Sequence, residues 1–189
     1  MKNLVVVDMQ REYNSCIPHW LWDETVKAVK KAKNILWYYN HYSDEYADLI
    51  ERLQNLGLSE SQLEKIEFVP KTYGFLRNKM DIGIDHADIV ATLNLMKKLN
   101  VNDSRDIADK YKTVDSVTKR MITFLRNRNV ITEEEENNPI YTPDFDVDKL
   151  LNYRCATVIG GGRTECLAEI SIYMKHLGIA HHIDEQLTY

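Results

Sequence analysis

The sequence predicts an α/β protein built around a mainly parallel sheet of five or six strands. Two observations support this prediction. The apolar runs are short and uninterrupted, as expected for parallel strands that are buried on both faces. The segments between the first runs have the length and the capping residues of helices, and strands that alternate with helices form βαβ units. We place strands near residues 3–8, 35–40, 66–70, 155–160 and 179–184.

Capping residues and glycines mark where the helices begin and end. Residues that favour helix N-termini stand at Asp23, Ser43, Ser59 and Thr164. The first of these predicts a helix over about 24–33, and Gln62 completes a capping box with the third. Gly57 and Gly178 are placed to end the helices that precede them.

The segment between the third and fourth predicted strands departs from this alternation. Apolar residues recur there at helical spacing, first at Ile89, Leu93, Met96 and Leu99, and then at Ile107, Tyr111, Val114, Val117 or Thr118, Met121 and Leu125. A chain of 189 residues is long enough for one domain and short for two. We therefore expect a single domain over 1–189 with a helical insertion at about 80–140. The insertion serves either as a scaffold or dimer contact, or as a lid over the site.

Composition narrows the class of partner. The net charge of −5 argues against nucleic acid as the main partner, because it does not imply a basic face. No apolar stretch approaches the roughly 20 residues that a membrane span needs. The amino terminus becomes charged too early for a signal peptide. Three cysteines without C-x-x-C spacing indicate neither a disulfide framework nor a zinc ribbon. We expect a reduced, cytoplasmic protein that binds neither nucleic acid nor membranes.

Three polar residues stand at or just past the ends of apolar runs. Asp8 and Lys71 end two of the runs, and Cys166 follows a third across a glycine-rich turn. Open α/β sheets bind ligands at the carboxyl ends of their strands, so a carboxylate, an ammonium and a thiol are expected to meet there. Cys166 falls in the first turn of a helix, where the dipole and backbone N–H groups favour a thiolate and an oxyanion.

Each of the three residues also has a structural alternative. Cys166 can be a small apolar filler, which is the role of most cysteines. Asp8 can be a helix cap, or a Mg²⁺ or phosphate ligand, and Lys71 can be a solvated charge at the edge of the sheet. A lysine beside both a carboxylate and a thiol, however, stabilises the charged forms of both.

The glycine-rich turn at 160–162 also resembles a phosphate-binding turn between a strand and a helix. The dinucleotide-binding pattern ends in a glycine where this sequence has Glu165, and no Gly-Lys-Ser/Thr follows. The histidines do not indicate a metal site. His181 and His182 point to opposite faces of a strand, and the spacing H-E-x-x-H is absent from the sequence. We therefore expect no cofactor and no metal.

Together, three segments resemble the isochorismatase-like cysteine hydrolase superfamily, which includes nicotinamidases and N-carbamoylsarcosine amidohydrolases. Val-Val-Val-Asp-Met-Gln at 5–10 is similar to the family's first strand with its aspartate. Val-Pro-Lys-Thr-Tyr-Gly-Phe at 69–75 resembles the segment that bears its lysine, and residues 158–167 with the following helix resemble its cysteine block. The similarity covers residues 1–80 and 145–189.

The resemblance implies a three-layer, Rossmann-like sandwich and a catalytic triad of Asp8, Lys71 and Cys166. Asp8 would take the proton of the thiol and pass it to the leaving group, while Lys71 holds the pair in charged form. The backbone N–H groups of Glu165 and Cys166 would hold the oxyanion, and water would hydrolyse the thioester. Family members often have a cis peptide bond just before the cysteine, here at Thr164–Glu165 or Glu165–Cys166.

We therefore predict an amidase-type cysteine hydrolase that cleaves an amide or related bond of a small molecule. Candidate substrate contacts are Gln10, Tyr73, Phe75 and Arg163; the aromatic residues alternatively belong to the core, and Arg163 alternatively pairs with a nearby acid. The alternative function is a catalytically silent relative whose insertion binds a partner protein, suggested by the insertion and by Arg163 and Glu165 beside the thiol. The resemblance also implies a homodimer or larger homo-oligomer.

Overall fold

The computed structural model describes residues 2–40, 45–71, 75–101, 104–132 and 146–189. The chain forms two compact units, one of Met1–Thr72 with Phe145–Tyr189 and one of Tyr73–Asp144. We call them the sheet unit and the helical unit. The predicted α/β class with a helical insertion is confirmed, because one unit contains a parallel sheet and the described part of the other is helical. None of the described helices is long and apolar enough to cross a membrane.

Five parallel strands form the sheet, in the order β3-β2-β1-β4-β5. They are β1 (Asn3–Val7), β2 (Asn34–Asn40), β3 (Ile66–Lys71), β4 (Ala156–Gly160) and β5 (His181–Thr188). All residues of β1 are buried, and Val5 faces Leu36 on one side and Val158 on the other. A central strand that is covered on both faces explains why the sequence shows uninterrupted apolar runs instead of alternation.

The described helices are α1 (His19–Lys31), α2 (Glu45–Asn55), α3 (Glu60–Leu63), α4 (Phe75–Asp81), α5 (His86–Leu99), α6 (Ser104–Lys110), α7 (Ser116–Asn127) and α8 (Cys166–His176), with short 3-10 helices at Arg11–Tyr13 and Val147–Asn152. α1, α2 and α3 pack in one core cluster with the sheet face that carries Leu4, Val6 and Trp37. α8 contacts β1, β4 and β5. Right-handed crossovers put it on the opposite face, because the chain moves from β4 to β5 in the opposite direction. The sandwich therefore has three layers.

Several predicted helix boundaries shift in the structure. The capping box of Ser59 and Gln62 is confirmed. The Asp23 cap is wrong, because Leu21 and Trp22 are buried in the core and the helix begins before them, at His19. The Thr164 cap is also wrong, because the N-cap of α8 is Glu165. The predicted cap at Ser43 lies outside the described residues.

β5 begins and ends later than predicted. Gly178 adopts a φ of +68° after α8, and the N–H of Ile179 donates to the carbonyl of Met174 at 2.8 Å. This pattern closes a helix C-terminus, and the apolar residue after the glycine packs against the helix. Ile179 therefore belongs to the end of α8, although its hydrophobicity suggests the start of a strand.

In the helical unit, the first predicted apolar stripe is confirmed in α5, where Ile89, Leu93 and Met96 are buried. The second stripe divides between α6 and α7, because Asp115 caps α7 by accepting hydrogen bonds from two backbone N–H groups. The buried face of α7 consists of Thr118, Ile122 and Leu125. Met121 is exposed, and Thr118 is the buried member of the pair that includes Val117.

We predict that Gly160→Ala strongly destabilises the protein. Gly160 has a φ of +89°, and an added Cβ would lie 2.5 Å from the carbonyl oxygen of Val7 and 2.7 Å from Cγ of Met9. We expect the free energy of unfolding, measured with urea, to fall by about 2–4 kcal/mol. Gly178→Ala is the matched control, since its φ is +68° with nothing within 4 Å of an added Cβ; strain alone costs about 1 kcal/mol there. Equal losses in the two variants would contradict the close approach of β4 to β1.

Candidate active site

The candidate site lies where the order of the strands reverses. The chain runs from β1 outward to β2 and β3, and later places β4 and β5 on the other side of β1. Ligands of open α/β sheets bind at the carboxyl ends of the strands beside such a reversal. Asp8 directly follows β1, Lys71 ends β3 and Gly160 ends β4. The topology thus brings the three predicted segments to one edge of the sheet.

Lys71 forms ion pairs with two buried carboxylates. Its Nζ lies 3.0 Å from Oδ2 of Asp8 and 3.3 Å from Oε2 of Glu169. The side chains of both acids are 0% exposed, and that of Lys71 is 3% exposed. Removing a charge from water costs several kcal/mol, which only close, well-placed partners offset. The ammonium group therefore joins the ends of β1 and β3 to α8.

The two carboxylates determine the charge state of Lys71. Burial lowers the pKa of this lysine, but the charges of Asp8, Glu169 and Cys166 and the hydrogen bond to Asp8 outweigh it, so the pKa rises above its usual value of 10.5. Lys71 is therefore an ammonium ion throughout the neutral range. Since its pKa is higher in the folded state, the stability that it provides is fully present below the unfolded pKa and is lost only as the pH rises through the folded pKa.

Cys166 is the first residue of α8, as predicted, and belongs to the same cluster. Its sulfur interacts electrostatically with both Lys71 and Tyr189, and this interaction is among the causes that raise the pKa of those two residues. The start of α8 adds the positive end of the helix dipole, which favours a thiolate. Cys166 is only 5% exposed. The structure thus brings the three predicted catalytic residues together in a site that is almost closed to solvent.

Asp8 combines a strained backbone with an unusual carboxylate. Its φ of 50° lies in the left-handed region, which costs a non-glycine residue on the order of 1–3 kcal/mol. Its N–H donates to the carbonyl of Tyr38 at 2.9 Å, and its own carbonyl accepts a hydrogen bond of 3.0 Å from the hydroxyl of Tyr189. Oδ1 of Asp8 is buried without a hydrogen-bond donor among the described residues. Buried oxygens without a donor are rare in folded proteins.

The glycine-rich turn from β4 to α8 is tightly constrained. The N–H of Gly161 donates to the carbonyl of Val7 at 2.7 Å, and a Cβ on Gly161 would lie 3.2 Å from Cβ of Cys166. The N–H of Glu165 donates to the carbonyl of Gly162 at 3.0 Å. The predicted oxyanion donor at Glu165 is therefore engaged within the turn. The cis peptide bond expected just before Cys166 is wrong, because no peptide bond in the described ranges is cis.

Two of the predicted substrate contacts bind neighbouring protein groups. Oε1 of Gln10 accepts a hydrogen bond of 2.6 Å from the backbone N–H of Asn40, which ties the end of β1 to the end of β2. Gln10 is fully buried. Arg163 is exposed and forms an ion pair of 2.6 Å with Glu185, which corresponds to the structural alternative for this arginine. These two contacts are with Asn40 and Glu185, and neither contact involves Cys166.

The two predicted aromatic substrate contacts are Tyr73 and Phe75. Tyr73 lies outside the described residues, and Phe75 begins α4 with its side chain outside the described part of the chain. Within the described ranges, no group of three or more histidine, cysteine, aspartate or glutamate side chains is arranged to hold a metal ion.

Two residues of the cluster escaped the sequence analysis. Glu169 follows Cys166 by three positions on α8, so the two share one face of the helix. A lone acid in an otherwise apolar helical stripe was the available signal. Tyr189 reaches Asp8 from the end of β5, and burial together with the charges of Asp8 and Cys166 raises its pKa, so the hydroxyl stays protonated. The sequence contains no local signal for that contact.

We predict that Lys71→Met destabilises the sheet unit in a pH-dependent way. Two buried carboxylates would lose their counter-ion, and removing one partner of a buried ion pair costs about 3–5 kcal/mol at pH 8. The variant should recover stability as the pH falls towards 5, because its buried carboxylates then bind protons in the folded state. Urea unfolding at both pH values measures the effect, with Lys27→Met, whose ion pair with Glu24 is exposed, as the control without a measurable change. A deficit that is equal at pH 8 and pH 5 would argue against this charge arrangement.

Comparison with known proteins identifies no relative of this chain. A scan against models of protein families, a search of curated proteins and a search of solved structures each found no significant match.

Proposed function

We propose that this chain is an amidase-type cysteine hydrolase of the isochorismatase-like superfamily that acts on a small amide. One observation supports the proposal above all others: a buried ion pair of Asp8 and Lys71 lies beside the thiol of Cys166 at the start of a helix. An acid, a lysine and a cysteine in this arrangement have the parts that nucleophilic catalysis on a carbonyl requires. The residues come from three distant segments and meet where α/β folds bind ligands.

In the proposed first step, Asp8 accepts the proton of the Cys166 thiol, and its Oδ1 is available for that proton. Lys71 stabilises the thiolate that forms. The sulfur attacks the carbonyl carbon of the amide and forms a tetrahedral intermediate whose oxyanion lies at the N-terminal end of α8, where the helix dipole favours negative charge. No proton is lost to solvent in this step, since the thiol proton now resides on Asp8.

In the second step, Asp8 returns the proton to the amide nitrogen as the C–N bond breaks, and the amine leaves. The acyl group remains on Cys166 as a thioester. Water then attacks the thioester carbonyl and gives a proton to Asp8, and the C–S bond breaks to release the acid. The proton passes from Asp8 to the sulfur, which restores the resting site without any cofactor.

The proposed reaction requires that the substrate reach the sulfur of Cys166. Cys166 is 5% exposed, whereas Cys16 and Cys155 are exposed. A substrate must therefore be small, or the site must open around it. The chemistry also needs a free thiol, as all three cysteines have in this structure, and so we place the enzyme in the reducing cytoplasm. Self-association into a homodimer or larger oligomer is part of the same proposal through the family resemblance.

A second candidate function is a catalytically silent protein that binds a partner through the helical unit. α7 exposes Val117, Met121 and Phe124 by 61%, 43% and 49%, and these residues follow one another at helical spacing on one face. Lys119 and Arg120 on the same helix favour a partner helix with acidic residues beside its apolar face. The near-complete burial of Cys166 also fits this candidate.

The proposed enzyme predicts hydrolysis of at least one member of a panel of small primary and secondary amides. Cys166→Ala should lower the rate for that amide by about three orders of magnitude or more, because the nucleophile is removed. Cys155→Ser is the matched control, since Cys155 is exposed and precedes β4, at the end of the strand opposite Gly160. Released amine is measured directly. Equal rates for the purified wild type and Cys166→Ala would refute the assigned nucleophile.

Alkylation by iodoacetamide distinguishes the two candidate functions. In the enzyme, Lys71 and the helix N-terminus favour a thiolate at Cys166, so we expect labelling at pH 7 that is faster than that of a free model thiol despite the burial. Cys16 and Cys155 serve as internal references within the same chain, and mass spectrometry of the peptides gives the three rates. A rate at Cys166 no faster than that of the model thiol favours the silent, partner-binding candidate.

A further inference from the structure

Glu169 has no role in the proposed triad, yet it is among the most buried charged residues of the described chain. It is 0% exposed and lies 3.3 Å from Nζ of Lys71, which already has Asp8 as a partner at 3.0 Å. With all three groups ionised, the cluster carries one negative charge more than the lysine neutralises. A second buried carboxylate is costly, and the Asp8–Lys71 pair would be neutral without it.

The position of Glu169 gives it influence over two members of the triad, Cys166 and Lys71. It follows Cys166 by three residues on α8, which places the two side chains on the same face of the helix at neighbouring positions. It also contacts the ammonium group that stabilises the thiolate. A negative charge here offsets part of the field of Lys71 at the sulfur and makes the thiolate less favourable.

The contact with Lys71 matters most when Asp8 becomes neutral. In the proposed mechanism, Asp8 holds the proton of the thiol during attack and so loses its ionic attraction for Lys71. Glu169 remains charged and keeps the ammonium group at the same place. A buried ammonium without an ionic partner would otherwise be destabilised at the moment when the reaction depends on it.

We propose that Glu169 is a positioning residue that anchors Lys71 while Asp8 is protonated and that limits the thiolate fraction of the resting cysteine. The inference rests on the proposed hydrolase function. It assigns to this acid a regulatory role in the same site: Glu169 opposes part of the effect by which Lys71 favours the thiolate, and so controls where the proton of the Asp8–Cys166 pair resides. A smaller thiolate fraction also makes the sulfur less open to oxidation.

The described charged and titratable groups of this cluster come from several elements of the sheet unit. They are Asp8 after β1, Lys71 at the end of β3, Glu165 before α8, Glu169 within α8 and Tyr189 after β5, with Cys16 also near Tyr189. Lys71 is the cation in this group. Neutralising Glu169 should therefore leave the field of Lys71 less opposed and move the titration of the thiol to lower pH.

The test is the pH dependence of alkylation of Cys166 in the full chain, measured with iodoacetamide from pH 5 to 10 for the wild type and Glu169→Gln. The amide of glutamine has nearly the same shape and can still accept a hydrogen bond from Lys71, but it lacks the charge. We expect the midpoint to fall by about one pH unit, which makes labelling about tenfold faster on the acidic side of the profile. Turnover of the amide substrate should fall at the same time, because Lys71 is held less firmly.

Glu185→Gln is the matched control, because it removes the same charge from an exposed ion pair with Arg163, where solvent screens the effect. Its profile should coincide with that of the wild type. Glu169→Asp provides a second variant that keeps the charge but shortens the side chain. Its midpoint should stay near that of the wild type while turnover falls, which also tests the proposal if Glu169→Gln does not fold.

The outcomes separate this inference from the proposed function. If the wild type hydrolyses the amide but the midpoint of Glu169→Gln equals that of the wild type, the role of Glu169 is wrong and the triad stands. If Glu169→Asp, which keeps the charge, shifts the midpoint as much as is expected for Glu169→Gln, the proposed role of Glu169 is also wrong. If Cys166 of the wild type does not react at any pH, the hydrolase proposal itself fails.

Discussion

A single buried ammonium ion holds the two halves of the sheet edge together. Lys71 reaches from β3 to Asp8 after β1 and to Glu169 on α8, with both acids fully buried. Neither carboxylate is tolerable as a charge in the interior without the ammonium group, since each would lose its hydration without compensation. The positions of β1, β3 and α8 are therefore coupled through one side chain, and the location of the neighbouring thiol follows from that coupling.

The backbone around the ammonium group is built to allow this convergence. Gly160 brings β4 so close to β1 that a Cβ would collide with the backbone of Val7. Asp8 adopts a left-handed conformation that most residues avoid, and the hydroxyl of Tyr189 binds its carbonyl. Strain of this kind persists only where the surrounding structure imposes it, and it is concentrated at functional sites. Two constrained backbone positions, Asp8 and Gly160, thus lie at the edge of the sheet that carries the site.

A buried charge cluster can also be purely structural, and three features bear on the choice between a structural cluster and a catalytic one. In a structural network, the polar atoms are expected to be satisfied, but Oδ1 of Asp8 lacks a donor within the described residues. That feature favours a site prepared to accept a proton. The 5% exposure of Cys166 favours the structural reading, as does the engagement of the Glu165 amide within its own turn. The reactivity of the sulfur decides between them, because burial and thiolate character act on it in opposite directions.

The strands, the capping box of Ser59 and Gln62, and the candidates Asp8, Lys71 and Cys166 could be predicted before folding was considered, because periodicity and capping are local properties of neighbouring residues. The contacts between distant segments could not be predicted in this way, because they depend on how the elements pack. The start of α1 at His19 depends on core packing, and the buried face of α7 depends on its neighbours. Glu169 belongs to the site because it contacts Lys71, and Tyr189 belongs to it because it contacts Asp8. The two residues of each pair are far apart in the sequence. Contacts of this kind produce no periodic pattern in the sequence, because they form only when separate elements pack together and their polar groups surround a buried charge.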